Sequence, residues 1–424
     1  MILAGAMVLD LHPPAARRVD VRVKGGRIVE VGPSLTARPG ESVEDLGGRW
    51  LMPGLVCAHH HLYSALSTGM PLRPEKPTSF THMLELVWWR LDRALDLDAV
   101  GVSAEVGGLA ALRAGVTTII DHHASPSAIV GSLEAIDGAL AGLGLRRVLC
   151  YEVTDRGGAE RARAGLRAHE RLLAAPRDGR RAILVGAHAS FTLSDDTLTA
   201  CAALARDGGV GLHLHAAEAI DDASRRGESP VKRLDRLGAL LPGSILAHGV
   251  HLDADDLARV QDAGAWITHQ PRSNMNNAVG YAPVARFGSR TAVGTDGIGA
   301  DMLAEAQCGY FRSQEGQVGW GPGRWCAALA AASTLAGDTL GIRLGRVAPG
   351  YAADLVVLDP CPGPPLTKDN LPAALIFRFS AAMVRDVMVD GAWRLKDRYP
   401  VGIDVGALDR RAQAAAMAVW ARMV

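Results

Sequence analysis

Two histidines one residue apart, His59 and His61, close the apolar run Pro53-Gly54-Leu55-Val56-Cys57-Ala58. In an extended strand, residues i and i+2 share a face, so these two imidazoles point the same way while His60 points oppositely. That is a geometry suited to two metal ligands. Three later apolar runs end in side chains of the same character: His213-Leu214-His215-Ala216-Ala217-Glu218, Leu246-Ala247-His248-Gly249 and Gly294-Thr295-Asp296-Gly297. A catalytic zinc site needs three or four nitrogen or oxygen ligands and one position left open for water. His59, His61, His215 and Asp296 meet that demand. Glu218, three residues past His215, is expected to shuttle a proton. His248 is expected to hydrogen-bond the same water and the charge developing on the substrate, with Asp296 acting as both ligand and base.

Side chains at the ends of separate apolar runs need a scaffold that gathers those ends. Eight runs of strand length occur at 55–61, 117–123, 147–153, 182–188, 210–216, 244–250, 265–270 and 291–295, separated by stretches of helical pattern such as 99–114 and 253–263. Their near-continuous hydrophobicity is what strands buried on both faces require. The expected class is α/β, with a (β/α)8 TIM-like barrel over residues 53–342 and its chemistry at the carboxyl ends of the strands. Residues 1–52 and 343–400 differ. They carry short strands with the turn signals Lys24-Gly25-Gly26, Ala348-Pro349-Gly350 and Val389-Asp390-Gly391, which predict one small β-sandwich built from both termini. Residues 401–424 predict a terminal helix. Both flanks are expected to be structural or to serve assembly, and a homo-oligomer, dimer or larger, is expected.

At 424 residues the chain can build a large core, and 48% of it is hydrophobic. Lys+Arg and Asp+Glu both number 45, so no net field favours nucleic acid or an anionic membrane, and a small molecule is the expected partner. The opening Met1 to Leu9 lacks a basic region before it and meets Asp10 too early for a signal peptide; it is read as a strand. No uncharged stretch approaches the ~20 residues that span a bilayer. The six cysteines (57, 150, 201, 308, 326 and 361) form no CxxC pair, which fits free thiols in the cytoplasm.

Two divalent ions in such a barrel are commonly bridged by a carbamylated lysine on the fourth strand. No lysine occurs between Lys76 and Lys232, and the fourth run ends in His188, so one divalent metal is expected, zinc first and iron second. For substrate reading, Trp88 offers an aromatic face beside Trp89. Arg156, just past the third strand, can donate a planar fork to a ring carbonyl or carboxylate. One of His122 and His123 should face the pocket, with His188 also near it. Asn274 and Asn277 are expected to brace the loop after the seventh strand.

The strings Leu51-Met52-Pro53-Gly54-Leu55-Val56, His269-Gln270-Pro271-Arg272-Ser273-Asn274 and Gly350-Tyr351-Ala352-Ala353-Asp354-Leu355, taken with the histidines, resemble the amidohydrolase superfamily over nearly the whole chain. Within its deaminase/chlorohydrolase branch, the SsnA group of aminohydrolases is the most similar, through Trp88-Trp89-Arg90-Leu91-Asp92-Arg93-Ala94-Leu95-Asp96, Ile120-Asp121-His122-His123-Ala124-Ser125-Pro126, Arg272-Ser273-Asn274-Met275-Asn276-Asn277 and Gly297-Ile298-Gly299-Ala300-Asp301-Met302. The resemblance implies that His59, His61, His215 and Asp296 hold one divalent metal and that Glu218 and His248 handle water. It also implies hydrolytic removal of ammonia from a purine-, pterin- or pyrimidine-like ring, tilted toward purines. The same ligands would also serve a cyclic-amide hydrolase or a chlorohydrolase. A non-catalytic scaffold is the remote alternative, because such relatives lose ligands that this chain keeps.

Overall fold

The computed structural model describes residues 1–71, 75–175, 178–224, 227–317 and 319–423. Its centre consists of two parallel sheets. Leu55–His60, Val116–His123, Arg146–Tyr151 and Arg181–Ile183 form the first, in that order; Val185–Ala189, Leu212–Ala216, Ile245–His248, Trp266–His269 and Thr291–Val293 form the second. All eight predicted runs are strands. The fourth is divided at Leu184, whose N–H donates to Leu149 O in one sheet, while the N–H of Val185 donates to Gly211 O in the other. Isolated parallel bridges join the sheets at both edges, Val153 to Ala187 and His60 to Asp296. Almost every residue of these strands is buried, as strands covered on both faces require.

Helices follow the strands, and their starts are written in the sequence. Leu97–Arg113 begins at Asp96, whose carboxylate accepts from Ala99 N. Ala254–Asp262 begins with a reciprocal capping box between Asp253 and Asp256. Pro322–Leu340 begins with proline in its first turn and ends at Gly341 in the left-handed conformation.

Both ends of the chain build one mixed, hydrogen-bonded sheet of nine strands. The amino-terminal strands Ile2–Leu11, Pro14–Lys24, Arg27–Gly32, Val43–Asp45 and Trp50–Pro53 meet the carboxyl-terminal ones where Trp50–Pro53 pairs antiparallel with Leu355–Leu358. Val384–Val389, Ala392–Lys396 and Tyr399–Pro400 continue the sheet from there. A buried two-pronged ion pair ties this sheet to the strand layer above: Arg146 Nε and Nη2 lie 2.7 and 2.9 Å from the two oxygens of Asp354. Asp354 belongs to the Gly-Tyr-Ala-Ala-Asp string, so that string is a joint. The predicted terminal helix is present as Val405–Arg422; Trp420 Nε1 donates to Leu66 O at 2.9 Å, and Arg422 Nε to Ala94 O at 2.6 Å. All six cysteines are unpaired. Among the described residues no helix is long and apolar enough to cross a membrane.

Candidate active site

The period-2 rule places His59 and His61 together and sends His60 the other way, to Thr295 Oγ1 at 2.9 Å. His61 donates its Nδ1–H to His122 O at 2.5 Å, and His215 donates its Nδ1–H to His188 O at 2.9 Å. Their Nε2 atoms face each other at 3.0 Å. Asp296 Oδ1 stands 2.9 Å from His61 Nε2 and 3.3 Å from His59 Nε2, while its other oxygen accepts from Ser273 Oγ. Ligand atoms of His59, His215, His248 and Asp296 lie within 4.8 Å of one another, and His61 stands in the same reach of His215, an arrangement of buried nitrogen and oxygen donors that suits a divalent cation. Burial holds His59 and His215 well below the ordinary imidazole pKa, hence neutral and able to ligate; for His61 burial acts downward too, but Asp296, 2.9 Å away, outweighs it and pushes the ring up to about 9. For Asp296, burial acts upward, but the imidazoles of His61, His59 and His248 outweigh it and keep the carboxylate ionised. The residues present fit a divalent cation.

The backbone is bent to deliver these groups. Ala217, His248 and Asp296 adopt φ of 51°, 76° and 56°, the left-handed region that non-glycine residues rarely occupy, and all three lie at strand ends beside the convergent donors. Gly294 supplies the close approach: a Cβ there would sit 2.6 Å from His59 N and 2.7 Å from His59 O. The eighth strand can thus lie against the first, and Asp296 reaches His59 and His61.

Glu218 follows the strained Ala217 into the site. Its Oε2 lies 3.5 Å from His248 Nε2, and its Oε1 accepts from Asn277 Nδ2 at 3.4 Å. Burial, with Asp296 adding and His248 opposing, pushes this carboxyl up to about 7. His248 directs Nδ1–H to Asn274 Oδ1 at 2.8 Å, which leaves Nε2 as a buried lone pair without a hydrogen-bond partner. Asp222 Oδ2 accepts from Ala217 N at 2.6 Å and so pins the bend before Glu218.

His61, His215, Glu218 and Asp296 form the floor of a cavity that opens to solvent. Phe80, Leu84, Trp88, Trp89 and Phe191 make an apolar wall, and Asp92, Glu152, His188, Asp222 and Asn277 supply polar positions. Among the predicted substrate readers, Trp88 and His188 line the cavity; His188 holds Thr192 Oγ1 at 2.6 Å through Nδ1. His122, His123 and Arg156 do not line it. His122 Nε2 is taken by the carbonyls of Ala187 and His213 at 3.1 and 3.0 Å, which hold the ring beneath the ligand layer. His123 Nε2 pairs with Ser125 Oγ at 2.8 Å on the opposite face of the strand. Arg156 sits behind the wall, where Nη2 lies 2.9 Å from Asp92 Oδ2 and 3.2 Å from Glu152 Oε1, and its guanidinium covers Trp89 at 4.6 Å. Asn274 holds His248 through its Oδ1, and Asn277 reaches the cavity.

Sequence reasoning missed Glu152, Asp92 and Asp222. Glu152 had a usable signal, since it directly follows the third strand and so occupies the same kind of strand-end position as His248. Asp92 and Asp222 lie on helices after strands, where no period announces the cavity.

The sequence profile of the amidohydrolase family matches residues 50–394. A 5'-deoxyadenosine deaminase of Methanothermobacter thermautotrophicus is 28% identical over 412 residues, covering 94% of this chain and 93% of its own. An 8-oxoguanine deaminase of Pseudomonas aeruginosa is 31% identical over 439 residues, covering 94% of each. Among solved structures, a zinc-bound adenosine deaminase from Xanthomonas campestris superposes with a TM-score of 0.83 at 23% identity, over 99% of this chain and 98% of that one, and so shares the fold.

Proposed function

This chain belongs to the amidohydrolase family, and on that premise we propose that it is a metal-dependent aminohydrolase that removes ammonia from an amino-substituted, purine-like N-heterocycle. The observation that carries the reading is Glu218, a buried carboxyl raised to about 7 at the floor of an aromatic-walled cavity, beside the unpartnered Nε2 of His248 and the four convergent donors. The two relatives named as deaminases of a purine nucleoside and of an oxidised purine support the same chemistry.

His59, His61, His215 and Asp296 would hold one divalent cation, zinc by preference and iron as the alternative. Bound there, it supplies Lewis acidity that makes water ionisable near neutral pH. Glu218 delivers its proton to the ring nitrogen next to the amino-bearing carbon, which makes that carbon attackable. His248 offers Nε2, and Asp296 its carboxylate, to take a proton from the attacking water, and Asn274 and Ser273 hold those two acceptors in register. The proton taken from water passes from His248 or Asp296 to the departing amine, which leaves as ammonia, and the proton of the new hydroxyl returns Glu218 to its acid form as the carbonyl forms. Trp88 stacks on the ring, and His188 stands at its edge. His122 acts from beneath, by fixing His61 through its carbonyl.

The same reading treats the two parallel sheets as one closed eight-stranded barrel, residues 53–342, on the strength of the two bridging contacts at their edges. It treats residues 1–52 with 343–400 as one composite domain and the protein as a cytoplasmic enzyme. The test is ammonia release by zinc-loaded protein across aminated purines, pterins, pyrimidines and triazines. Ring opening or chloride release in place of ammonia would overturn the aminohydrolase assignment.

A further inference from the structure

The short helix Pro271–Asn276 and the residue that ends it touch all three groups to which proton transfer is assigned. Ser273 Oγ donates to Asp296 Oδ2, Asn274 Oδ1 accepts the Nδ1–H of His248 at 2.8 Å, and Asn277 Nδ2 donates to Glu218 Oε1 at 3.4 Å. A helix of six residues has no stability of its own, so its position must be fixed from outside. Gln270, at its N-cap, makes no capping bond, because its amide is engaged with His248 N at 2.9 Å and with Thr268 Oγ1 at 2.7 Å. Glu305, in the first turn of Met302–Glu315, supplies the cap instead. Its Oε1 accepts from Arg272 N at 2.9 Å and its Oε2 from Arg272 Nε, so one carboxylate grips both the backbone and the side chain of the same residue. Arg272 Nη2 donates to Gly299 O at 2.8 Å, in the turn that follows Asp296. The Glu305 side chain is fully buried, and that of Arg272 is only 21% exposed.

We propose that Glu305 and Arg272 are positioning residues that clamp Pro271–Asn276 as one body, so that Ser273, Asn274 and Asn277 hold Asp296, His248 and Glu218 in mutual register. The proposal rests on the proton-handling roles given to those three groups above. A buried ion pair is a weak stabiliser, because desolvating both charges offsets most of their attraction. Burial pushes the Glu305 carboxyl up to about 7 against the pull of Arg272, so this pair fits that description. What it supplies is geometry: two charge-assisted bonds from different directions fix both where the helix stands and how it is turned. Neither residue lines the cavity, so both act through the three side chains they hold. A displacement of about 1 Å at a reacting group can cost on the order of 100-fold in rate, which sets the scale of the effect.

The experiment compares zinc-loaded wild type, Glu305→Ala and Glu305→Gln in steady-state ammonia release from the best ring in the panel, with rates taken per folded, metal-containing chain. Glu305→Ala should lower kcat by ~30-fold to 100-fold while KM stays within ~3-fold of wild type. Glu305→Gln keeps an acceptor for Arg272 N and should regain at least ~5-fold of that loss. In a Ser273→Ala/Asn274→Ala background, Glu305→Ala should cost less than ~5-fold, because two of the side chains through which the clamp acts are gone. An equal cost in both backgrounds, or a kcat within ~3-fold of wild type in Glu305→Ala, overturns the proposal. If the alanine variant does not fold, Glu305→Gln carries the comparison of the two backgrounds. A crystal structure of the zinc-loaded variant gives a reading independent of turnover: Asn274 Oδ1 should stand beyond ~3.5 Å from His248 Nδ1, outside hydrogen-bond reach, and an unmoved bond overturns the clamp. A moved bond without ammonia release from any ring upholds the clamp and removes the aminohydrolase reading; ammonia release with the bond unmoved does the reverse.

Discussion

Replacing Glu218 by glutamine separates proton delivery from everything else the site does. The amide keeps the size of the side chain, and its oxygen can still accept from Asn277 Nδ2, 3.4 Å from the present carboxylate. Only the transferable proton is lost. Burial raises this carboxyl from the ordinary 4.5 to about 7, which corresponds to roughly 3 kcal/mol in favour of the protonated form. That preference is the driving force for holding an acid ready at neutral pH. A positioned general acid is worth about 10²-fold to 10⁴-fold, or ~3–5 kcal/mol of barrier, and the two figures meet at the lower bound. Glu218→Gln should therefore lower kcat/KM by at least ~100-fold while metal content stays at the wild-type level, because the residue is outside the proposed ligand set. The sign of the pH dependence follows from the raised pKa: the active form is protonated, so wild-type activity on this limb is full below about 7 and falls tenfold per pH unit above it. The assay is steady-state ammonia release from the best ring in the panel between pH 5.5 and 9, read with elemental analysis of the same preparations. A glutamine variant with near-normal turnover, or one that keeps the alkaline limb, would refute the assignment of Glu218 as the acid.

Asp296→Asn should lower metal retention and turnover together, since it removes a charged ligand and a proton acceptor, and elemental analysis of wild type should give about one tightly held cation per chain; two tightly bound ions, both required for activity, would overturn the single-metal reading. Gly294→Ala should push His59 away from Asp296, because its new Cβ would lie 2.6 Å from backbone; thermal unfolding should show a loss of ~1–3 kcal/mol and dialysis a faster loss of metal. Arg146→Ala leaves Asp354 buried without its cation and should cost ~3–5 kcal/mol in denaturant unfolding, a loss that would come without any change in the metal content of the folded fraction.

The six residues given chemical roles from sequence were legible because they share one positional rule. Each ends, or closely follows, an apolar run, and His59 with His61 adds period 2. The structure brings all six together at one end of the parallel sheets. What stayed hidden depends on partners distant in sequence. Arg156 could be seen to carry a planar fork, but not that Asp92 and Glu152 would occupy it. His122 and His123 were visible as a pair, but the carbonyls that draw His122 below the ligand layer belong to two other strands. The division of the fourth strand at Leu184 has no local signal, since both halves are equally apolar. The terminal sheet was foreseeable as a composite of both ends, whereas its continuous pairing rests on the alignment of Leu355–Leu358 with Trp50–Pro53, which no turn motif encodes.

That pairing also sets a clock for synthesis. Trp50–Pro53 acquires its neighbour on one side only when Leu355–Leu358 has been made, roughly 300 residues later. At ~5–20 residues per second, the amino-terminal strands wait about 15–60 s on the ribosome with an apolar, unpaired edge facing outward. Chains interrupted before Leu355 keep that edge permanently. They are the species from which aggregation of this protein should start, and binding by a chaperone should be concentrated on nascent chains between those two lengths.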